Sequence, residues 1–269
     1  MRFALAISMI AAACGPGRGA DPDANVVVAP DGAAAIDARQ GPDADVPPAE
    51  MFVQTAGDLY VMDDELFDLT LIGSFGLDAG EGGMTDMAVT PDGTLYGITN
   101  TKLYTLNRDT GAATYIADVP GLSNVGLTFL RDGTLLATDQ TGGVRRVDPL
   151  SGQVTEVGAF GGGYATAGDL VAVSNGTMYA ISDMGPVGDE QDNNVLLTVD
   201  TDTGVAAPVG QIGYGGVFGC AVANNQVYAF TRDGEVIEID PTDGAGTLRR
   251  EYTTMSFWGA GVTPLVVID

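Results

Sequence analysis

The sequence predicts an all-β domain from residue 51 onward, and three observations lead to this prediction. Short runs rich in Val, Leu, Ile, Thr and Tyr recur along the chain, with turn residues between them. Glycine accounts for 39 of the 269 residues, which is suited to many tight turns. The runs also follow one another in groups of four. We therefore expect several small sheets, each built from four consecutive short strands.

The clearest copy of the repeat lies between residues 86 and 117. Its four predicted strands are Asp86 to Thr90, Thr94 to Ile98, Lys102 to Leu106, and Ala113 to Ala117. The first turn is Pro91-Asp92-Gly93, and the third ends at Gly111. Four meandering strands joined in this way are typical of one blade of a β-propeller.

Three further copies follow the same plan. The glycine of the third turn marks each copy, and the four glycines are Gly111, Gly152, Gly204 and Gly244. Successive glycines are 41, 52 and 40 residues apart. This period is typical of propeller blades. In the same turns, Asp148, Asp200 and Asp240 are expected to accept hydrogen bonds from nearby backbone amides.

The two ends of the domain each supply an incomplete blade. Met51 to Phe75 contains the later strands, and Trp258 to Thr263 matches an innermost strand. Pairing of the N- and C-terminal strands would complete a fifth blade and remove exposed sheet edges. We predict a single propeller of five four-stranded antiparallel blades. Six blades are the alternative, if Leu265 to Asp269 and Met51 to Gln54 belong to different sheets.

The run DGTLYGIT, which begins at Asp92, and the run LYTLNRDTGAATYIADV, which begins at Leu103, carry a family resemblance. They resemble bacterial lipoprotein propellers of the broad NHL, quinoprotein-like and gluconolactonase/regucalcin-like kind, and the resemblance covers residues 51–269. It implies the fold more than an activity. Gluconolactonase-like enzymes usually have six blades and a Glu, an Asn and Asp residues around a divalent metal, and these ligands are not matched here as a set.

The N-terminal residues 1–13 predict a signal peptide. Arg2 precedes an apolar stretch that ends at Ala13 and is too short to span a bilayer. The following Cys14 resembles the cysteine of the bacterial lipobox, which is lipidated and becomes the mature N-terminus. That motif usually has Leu, Val or Ile where Ala11 stands. An ordinary secretory signal is the alternative. Because Gly15 rather than Asp follows Cys14, we expect an outer-membrane or cell-surface lipoprotein.

Residues 14–50 are predicted to form an acidic tether rich in Pro, Ala and Asp. Few large apolar side chains occur in this stretch, so it cannot bury enough surface to offset the entropy of ordering. We expect a disordered spacer between the membrane anchor at Cys14 and the propeller. An arm that a partner recognises is the alternative.

Composition narrows the function of the chain. There are 36 acidic and 11 basic residues, which give a net charge of −25 and disfavour binding to nucleic acid. The chain has no histidine, so Cys220 has no imidazole base and is expected to be a small buried side chain. The tether and the absence of a catalytic signature favour a binding or scaffolding protein over an enzyme, and we expect a monomer. We expect no cofactor other than a possible Ca²⁺.

One face of the propeller is predicted to carry the ligand site. With strands A to D running outward in each blade, the D-to-A and B-to-C connections share this loop face. Its longest B-to-C connection runs from Asp183 to Asn194. Aromatic residues can stack on sugars or anchor a peptide, and we predict a glycan, peptide or protein partner. The alternative is that the rings fill crevices between blades. The candidate ligand-binding residues are Tyr164, Tyr214, Phe218, Phe257 and Trp258.

A metal site is a second prediction for the loop face. Asp86 and Asp169 occupy equivalent positions near the start of their innermost strands, seven residues before the first-turn glycine, and should approach the channel mouth. Together with Asn124 they could bind Ca²⁺, which favours several oxygen ligands. Further acidic residues of the long loop could add to it: Asp183, Asp189, Glu190 and Asp192. The corresponding alternative function is a metal-dependent hydrolase or lactonase that works through Asp86 and Asp169.

Overall fold

The computed structural model describes residues 50–121, 123–183 and 193–268. The predicted signal peptide, Cys14 and the tether up to residue 49 lie outside the described residues. Within the described part, twenty strands form five four-stranded antiparallel sheets, as predicted. No described helix is long and apolar enough to cross a membrane.

The strands of the first three blades follow the predicted repeat closely. Blade I contains β1 (Met51–Gln54), β2 (Asp58–Met62) and β3 (Leu69–Ser74). Blade II contains β4 (Asp86–Val89), β5 (Leu95–Ile98), β6 (Lys102–Leu106) and β7 (Ala113–Asp118). Blade III contains β8 (Asn124–Phe129), β9 (Leu135–Asp139), β10 (Gly143–Val147) and β11 (Val154–Ala159).

The remaining strands complete the ring. Blade IV contains β12 (Thr166–Ala172), β13 (Met178–Ser182), β14 (Val195–Val199) and β15 (Ala206–Gln211). Blade V contains β16 (Val217–Ala223), β17 (Gln226–Thr231), β18 (Glu235–Ile239) and β19 (Gly246–Glu251), and the last strand is β20 (Gly259–Gly261). In each blade the first strand of the repeat lies innermost, on the axis of the propeller.

The ring closes through the predicted pairing of the two termini. Strand β20 lies antiparallel to β1, with Gln54 opposite Gly259 and Phe52 opposite Gly261, and it forms the innermost strand of blade I. The alternative of six blades is therefore wrong. In the described part of the C-terminal run no strand forms. Instead Val266 is buried in the core, and its carbonyl accepts a hydrogen bond from the Ser174 amide.

Neighbouring blades contact each other backbone to backbone. A Cβ atom at Gly73 would lie 2.1 Å from the carbonyl oxygen of Thr110, which belongs to the third turn of the next blade. Similarly, a Cβ at Gly158 would lie 1.9 Å from the Thr203 carbonyl oxygen. Only glycine fits such positions, because any side chain would collide with main-chain atoms. The repeated glycines therefore act in blade packing as well as in turns.

Apolar side chains fill the spaces between blades. The residue directly after the outermost strand is about 1% exposed in four blades: Phe75, Val119, Phe160 and Ile212. Phe257 is also fully buried, and its ring lies edge-on to those of Phe230 and Tyr252. The largest core cluster contains residues of blades I, IV and V, so it supports the closure of the ring.

The acidic residues of the third turns act within those turns, as predicted. The Asp148 carboxylate accepts hydrogen bonds from the amides of Leu150 and Ser151 at 2.9 and 2.8 Å. Asp200 and Asp240 make equivalent contacts in blades IV and V. Hydrogen bonds within the turns lower the pKa of all three carboxyls, chiefly from the Ser151 amide at Asp148, the Thr203 hydroxyl at Asp200 and the Thr242 hydroxyl at Asp240.

Candidate functional site

A cavity of about 570 Å³ opens at the axis on the loop face. We call it the axial cavity. The inner strand of every blade contributes to its wall, either from its first residues or from the residue before it: Thr85, Val125, Thr166, Ala167, Gly168, Phe218 and Trp258. The B-to-C connections of blades II, III and IV add Asn100, Gln140 and Asp183. The cavity is thus a product of the complete ring and belongs to no single blade.

Irregular strand pairing sets the direction of the cavity-wall residues in three blades. The register of the inner strand shifts after Asn124 in blade III, after Thr166 in blade IV and after Val217 in blade V. Such bulges bend a strand and change the direction of its side chains. The shifts lie at the cavity end of each strand, so they shape the wall of the axial cavity.

The structure brings together two of the five predicted aromatic residues. Phe218 and Trp258 line the axial cavity and are both half-buried. Tyr164 is 8% exposed and packs in the core, Phe257 is fully buried, and Tyr214 packs partly against the core. These three rings pack against the apolar clusters of the core, and their contact with a ligand stays a prediction. A ligand contact of Phe218 and Trp258 stays a prediction.

Neutral polar groups that were not among the predicted site residues form much of the remaining wall. Thr166 is 4% exposed, yet its hydroxyl oxygen has no hydrogen-bond partner in the described part of the chain. The Thr85 hydroxyl lies 2.9 Å from the Ile98 carbonyl and 3.0 Å from that of Asn124. The sequence did contain a signal for Thr85 and Thr166. Both precede the first-turn glycine of their blade by a short distance, which places them at the start of an inner strand.

The predicted carboxylates Asp86 and Asp169 meet on the axis, but both have zero exposed surface. The Asp86 carboxyl accepts a hydrogen bond from the Leu127 amide of blade III at 2.6 Å. Asp169 accepts from the Cys220 amide of blade V at 2.6 Å and from the Ala260 amide of blade I at 3.0 Å. The expectation that they reach the channel mouth is therefore wrong: the pair is enclosed by inner strands.

Burial raises the pKa of Asp86 and of Asp169, because the interior disfavours a charged carboxylate. The neighbouring charge of Asp169 raises the pKa of Asp86 further, whereas hydrogen bonds from Asp86 and three amides oppose the rise at Asp169. The Asp86 Oδ1 atom has no donor in the described part of the chain. Because this buried oxygen accepts no hydrogen bond there, we infer that it is the atom that carries a proton in the enclosed pair.

Asn124, the third predicted metal ligand, occupies the first position of β8. Its side-chain nitrogen donates to the carbonyl of Asn100 at 2.9 Å. In the described part of the chain, no group of three or more His, Cys, Asp and Glu side chains is arranged to hold a metal ion. Asp183 lies at the cavity wall, and Asp189, Glu190 and Asp192 lie outside the described residues. The calcium site stays a prediction.

Cys220, expected to be a small buried side chain, is 1% exposed beside the axis. Burial raises the pKa of its thiol, and the carboxyls of Asp169 and Asp86 raise it further. A protonated and enclosed thiol is a poor nucleophile. Its placement agrees with a packing role.

The ring of five four-stranded sheets defines this chain as a β-propeller protein. No known protein family and no curated protein sequence matches it. Among solved structures, a chain of the nidogen/laminin complex is similar, with a TM-score of 0.55 and 12% identity over 80% of this chain and 98% of that one.

Two further solved structures are similar at lower TM-scores. Virginiamycin B lyase from Staphylococcus aureus has a TM-score of 0.43 and 14% identity, over 72% of this chain and 63% of that one. Hydrazine synthase of Kuenenia stuttgartiensis has a TM-score of 0.43 and 16% identity, over 76% of this chain and 64% of that one.

Proposed function

We propose that this propeller is a binding or scaffolding protein of the bacterial cell envelope, which holds a glycan, a peptide or a partner protein on its loop face. The axial cavity carries this proposal. Its wall combines two half-buried aromatic rings, Phe218 and Trp258, with neutral polar groups such as the unpaired Thr166 hydroxyl. Concave sites with apolar walls and a few placed polar groups are typical of ligand binding.

The internal carboxyls support binding over hydrolysis. A catalytic carboxyl must reach the reacting atoms, whereas Asp86 and Asp169 have no exposed surface. Their oxygens accept hydrogen bonds from amides of blades I, III and V, so they link inner strands to one another. We therefore assign the pair to the stability of the fold, and not to the chemistry of a hydrolase or lactonase.

The envelope location is part of the same proposal. It rests on the signal-peptide pattern of residues 1–13 and on Cys14, whose lipidation would anchor the chain to a membrane. The acidic composition of residues 14–50 suits a spacer that keeps the propeller away from that membrane. A partner could then reach the loop face without obstruction by lipid.

A protein partner is one of the three ligand classes in this proposal. The solved chain with a TM-score of 0.55 comes from a complex of nidogen with laminin, so a chain of similar fold takes part in a protein complex there. That similarity supports the use of this fold as a scaffold for a protein partner.

Substitution of Trp258 tests the binding site. We expect Trp258→Ala to abolish binding to arrayed envelope glycans and peptides, because it removes the largest ring from the cavity wall. The matched control is Tyr115→Ala, which removes a ring that is 51% exposed on the outermost strand β7. Equal binding by both variants and the unchanged chain would contradict the proposed site.

Substitution of Cys14 tests the location separately. In a diderm bacterial host, the unchanged chain is expected in the detergent-soluble membrane fraction, labelled by an alkyne fatty acid. Cys14→Ser should lose the label and appear in the soluble fraction. A variant that remains in the membrane fraction without the label would contradict a lipid anchor at this residue.

A further inference from the structure

We infer that the axial cavity binds a neutral ligand rich in hydroxyl groups, namely a sugar ring that lies against Trp258 and hydrogen-bonds to the Thr166 hydroxyl. This inference rests on the proposed binding function and narrows its ligand class. Three properties of the wall support it: its charge, its mixture of hydrogen-bond donors and acceptors, and the position of its aromatic rings.

The charge of the wall disfavours anionic ligands. No Lys or Arg is among the described residues that line the cavity, and the only ionisable side chain there is Asp183. The whole chain carries a net charge of −25, which repels anions at long range. Phosphate and carboxylate groups would therefore find neither a partner nor a favourable potential.

The hydrogen-bonding groups of the wall favour a neutral ligand over a cationic one. Asn100 and Gln140 each offer an amide donor and an amide acceptor, and the Thr166 hydroxyl can do both. An ammonium group only donates, so it would leave the amide N–H groups and one side of the Thr166 hydroxyl unused. Sugar hydroxyls donate and accept, which matches the mixture. Asp183 already makes an interaction within the protein.

The unpaired Thr166 hydroxyl is the strongest single indication of a ligand. Buried polar side chains almost always have a partner, because an unpaired one costs free energy. Thr166 is 4% exposed, lines the cavity, and has no partner in the described residues. A ligand hydroxyl in the cavity would supply the missing hydrogen bond.

The aromatic rings supply a surface for the apolar face of a sugar. Trp258 and Phe218 are both half-buried at the start of the inner strands of blades I and V, which are neighbours in the ring. The C–H groups of a sugar ring can lie on an aromatic face while its hydroxyls point to polar groups. The cavity volume of about 570 Å³ is within the range of small-molecule sites.

Trp258 itself reports on the cavity, because it is the only tryptophan of the chain. The full chain is titrated with glucose, galactose and N-acetylglucosamine, and tryptophan fluorescence is recorded. Tetramethylammonium chloride and sodium phosphate serve as cationic and anionic comparison ligands at equal ionic strength. We expect a saturable change with at least one sugar and with neither ion.

Two threonine variants then test the role of the hydroxyl. Thr166→Val keeps the side-chain shape and should weaken the binding of that sugar about tenfold, the effect of one lost hydrogen bond. Thr138→Val is the matched control, since the buried Thr138 hydroxyl also has no partner among the described residues but does not line the cavity. Its affinity for the sugar should be unchanged. Neither variant should lower the melting temperature, because both remove an unpaired buried hydroxyl.

The possible results separate this inference from the broader proposal. Saturable responses to tetramethylammonium or to arrayed peptides, without any response to the three sugars, would overturn the sugar inference and keep the binding function. Equal sugar affinity of Thr166→Val and the unchanged chain would also overturn it. If Trp258→Ala kept both its glycan binding and its peptide binding, the proposed binding site itself would be contradicted.

Discussion

Asp86 and Asp169 are both fully buried at the propeller axis and interact with each other electrostatically, although they come from blades II and IV, which are not neighbours. Through the amides of Leu127, Cys220 and Ala260, the same two side chains also reach blades III, V and I. All five inner strands are thus connected by one pair of acids. This arrangement leads to two predictions about stability.

The first prediction concerns the pH dependence of folding. The pKa values of Asp86 and Asp169 are raised in the folded state, so the folded pair holds protons that the unfolded chain releases above about pH 4. The pair therefore makes its full contribution to stability at pH values below the pKa that these carboxyls have in the unfolded chain. This contribution falls as the pH rises through their higher pKa in the folded protein. Turn residues with lowered pKa values, such as Asp148 and Asp200, act in the opposite sense and lose their contribution below about pH 4.

Urea denaturation between pH 3 and pH 9 measures this dependence. We expect the free energy of unfolding to be highest near pH 5 and to decrease toward alkaline pH. Self-repulsion of the acidic surface acts in the same direction, so the Asp86→Asn variant is the necessary control. Asparagine is neutral at every pH, and it should reduce the alkaline slope. An unchanged slope in this variant would contradict a proton held by the pair.

The second prediction is that the two carboxyls respond differently to the same substitution. In Asp86→Asn the side-chain oxygen can still accept from the Leu127 amide, and the new NH₂ group can donate to the neighbouring Asp169 carboxyl. In Asp169→Asn an NH₂ group replaces an oxygen that accepts backbone amides. We expect Asp169→Asn to destabilise the fold by about 3 kcal/mol and Asp86→Asn by less than about 1 kcal/mol at pH 7. Equal losses would mean that Asp86 does not carry the proton.

A third prediction concerns the backbone contact between blades III and IV. Gly158→Ala would place a Cβ 1.9 Å from the Thr203 carbonyl oxygen, so the turn of blade IV must move. We expect a loss of about 2 kcal/mol, typical of overpacking. Gly57→Ala is the control, because no atom lies within 4 Å of its Cβ position. Thermal unfolding of both variants provides the measurement, and a similar melting temperature would contradict close blade contact.

The fold was largely predictable, because its signals are local and repeated. Turn glycines such as Gly111 and Gly152 mark each blade, and alternation of short β-rich runs identifies the strands. The closing pair of β1 and β20 followed from two incomplete ends that match as one blade. Only the exact strand ends differ, as at β20, where the strand covers Gly259–Gly261 within the predicted run that starts at Trp258.

The candidate site was less predictable, because burial depends on the whole ring. The alignment of copies placed Asp86 and Asp169 at equivalent depths, but their complete burial depends on how tightly five blades close around the axis. In the same way, adjacent residues differ in exposure: Phe257 is fully buried, while Trp258 is half-buried at the cavity. Aromatic composition alone does not distinguish such neighbours.

The fourth prediction uses this difference between neighbouring rings. Phe257→Ala should destabilise the propeller by about 4 kcal/mol, because it leaves a cavity between the rings of Phe230 and Tyr252 near the closing strand. Trp258→Ala should cost less than half as much, since part of its ring already faces solvent. Binding should show the reverse order: Phe257→Leu, which keeps the core filled, should retain ligand binding, and Trp258→Ala should lose it. If Phe257→Leu lost binding while its melting temperature was unchanged, Phe257 would belong to the ligand site after all, because a core ring can affect the ligand only through folding.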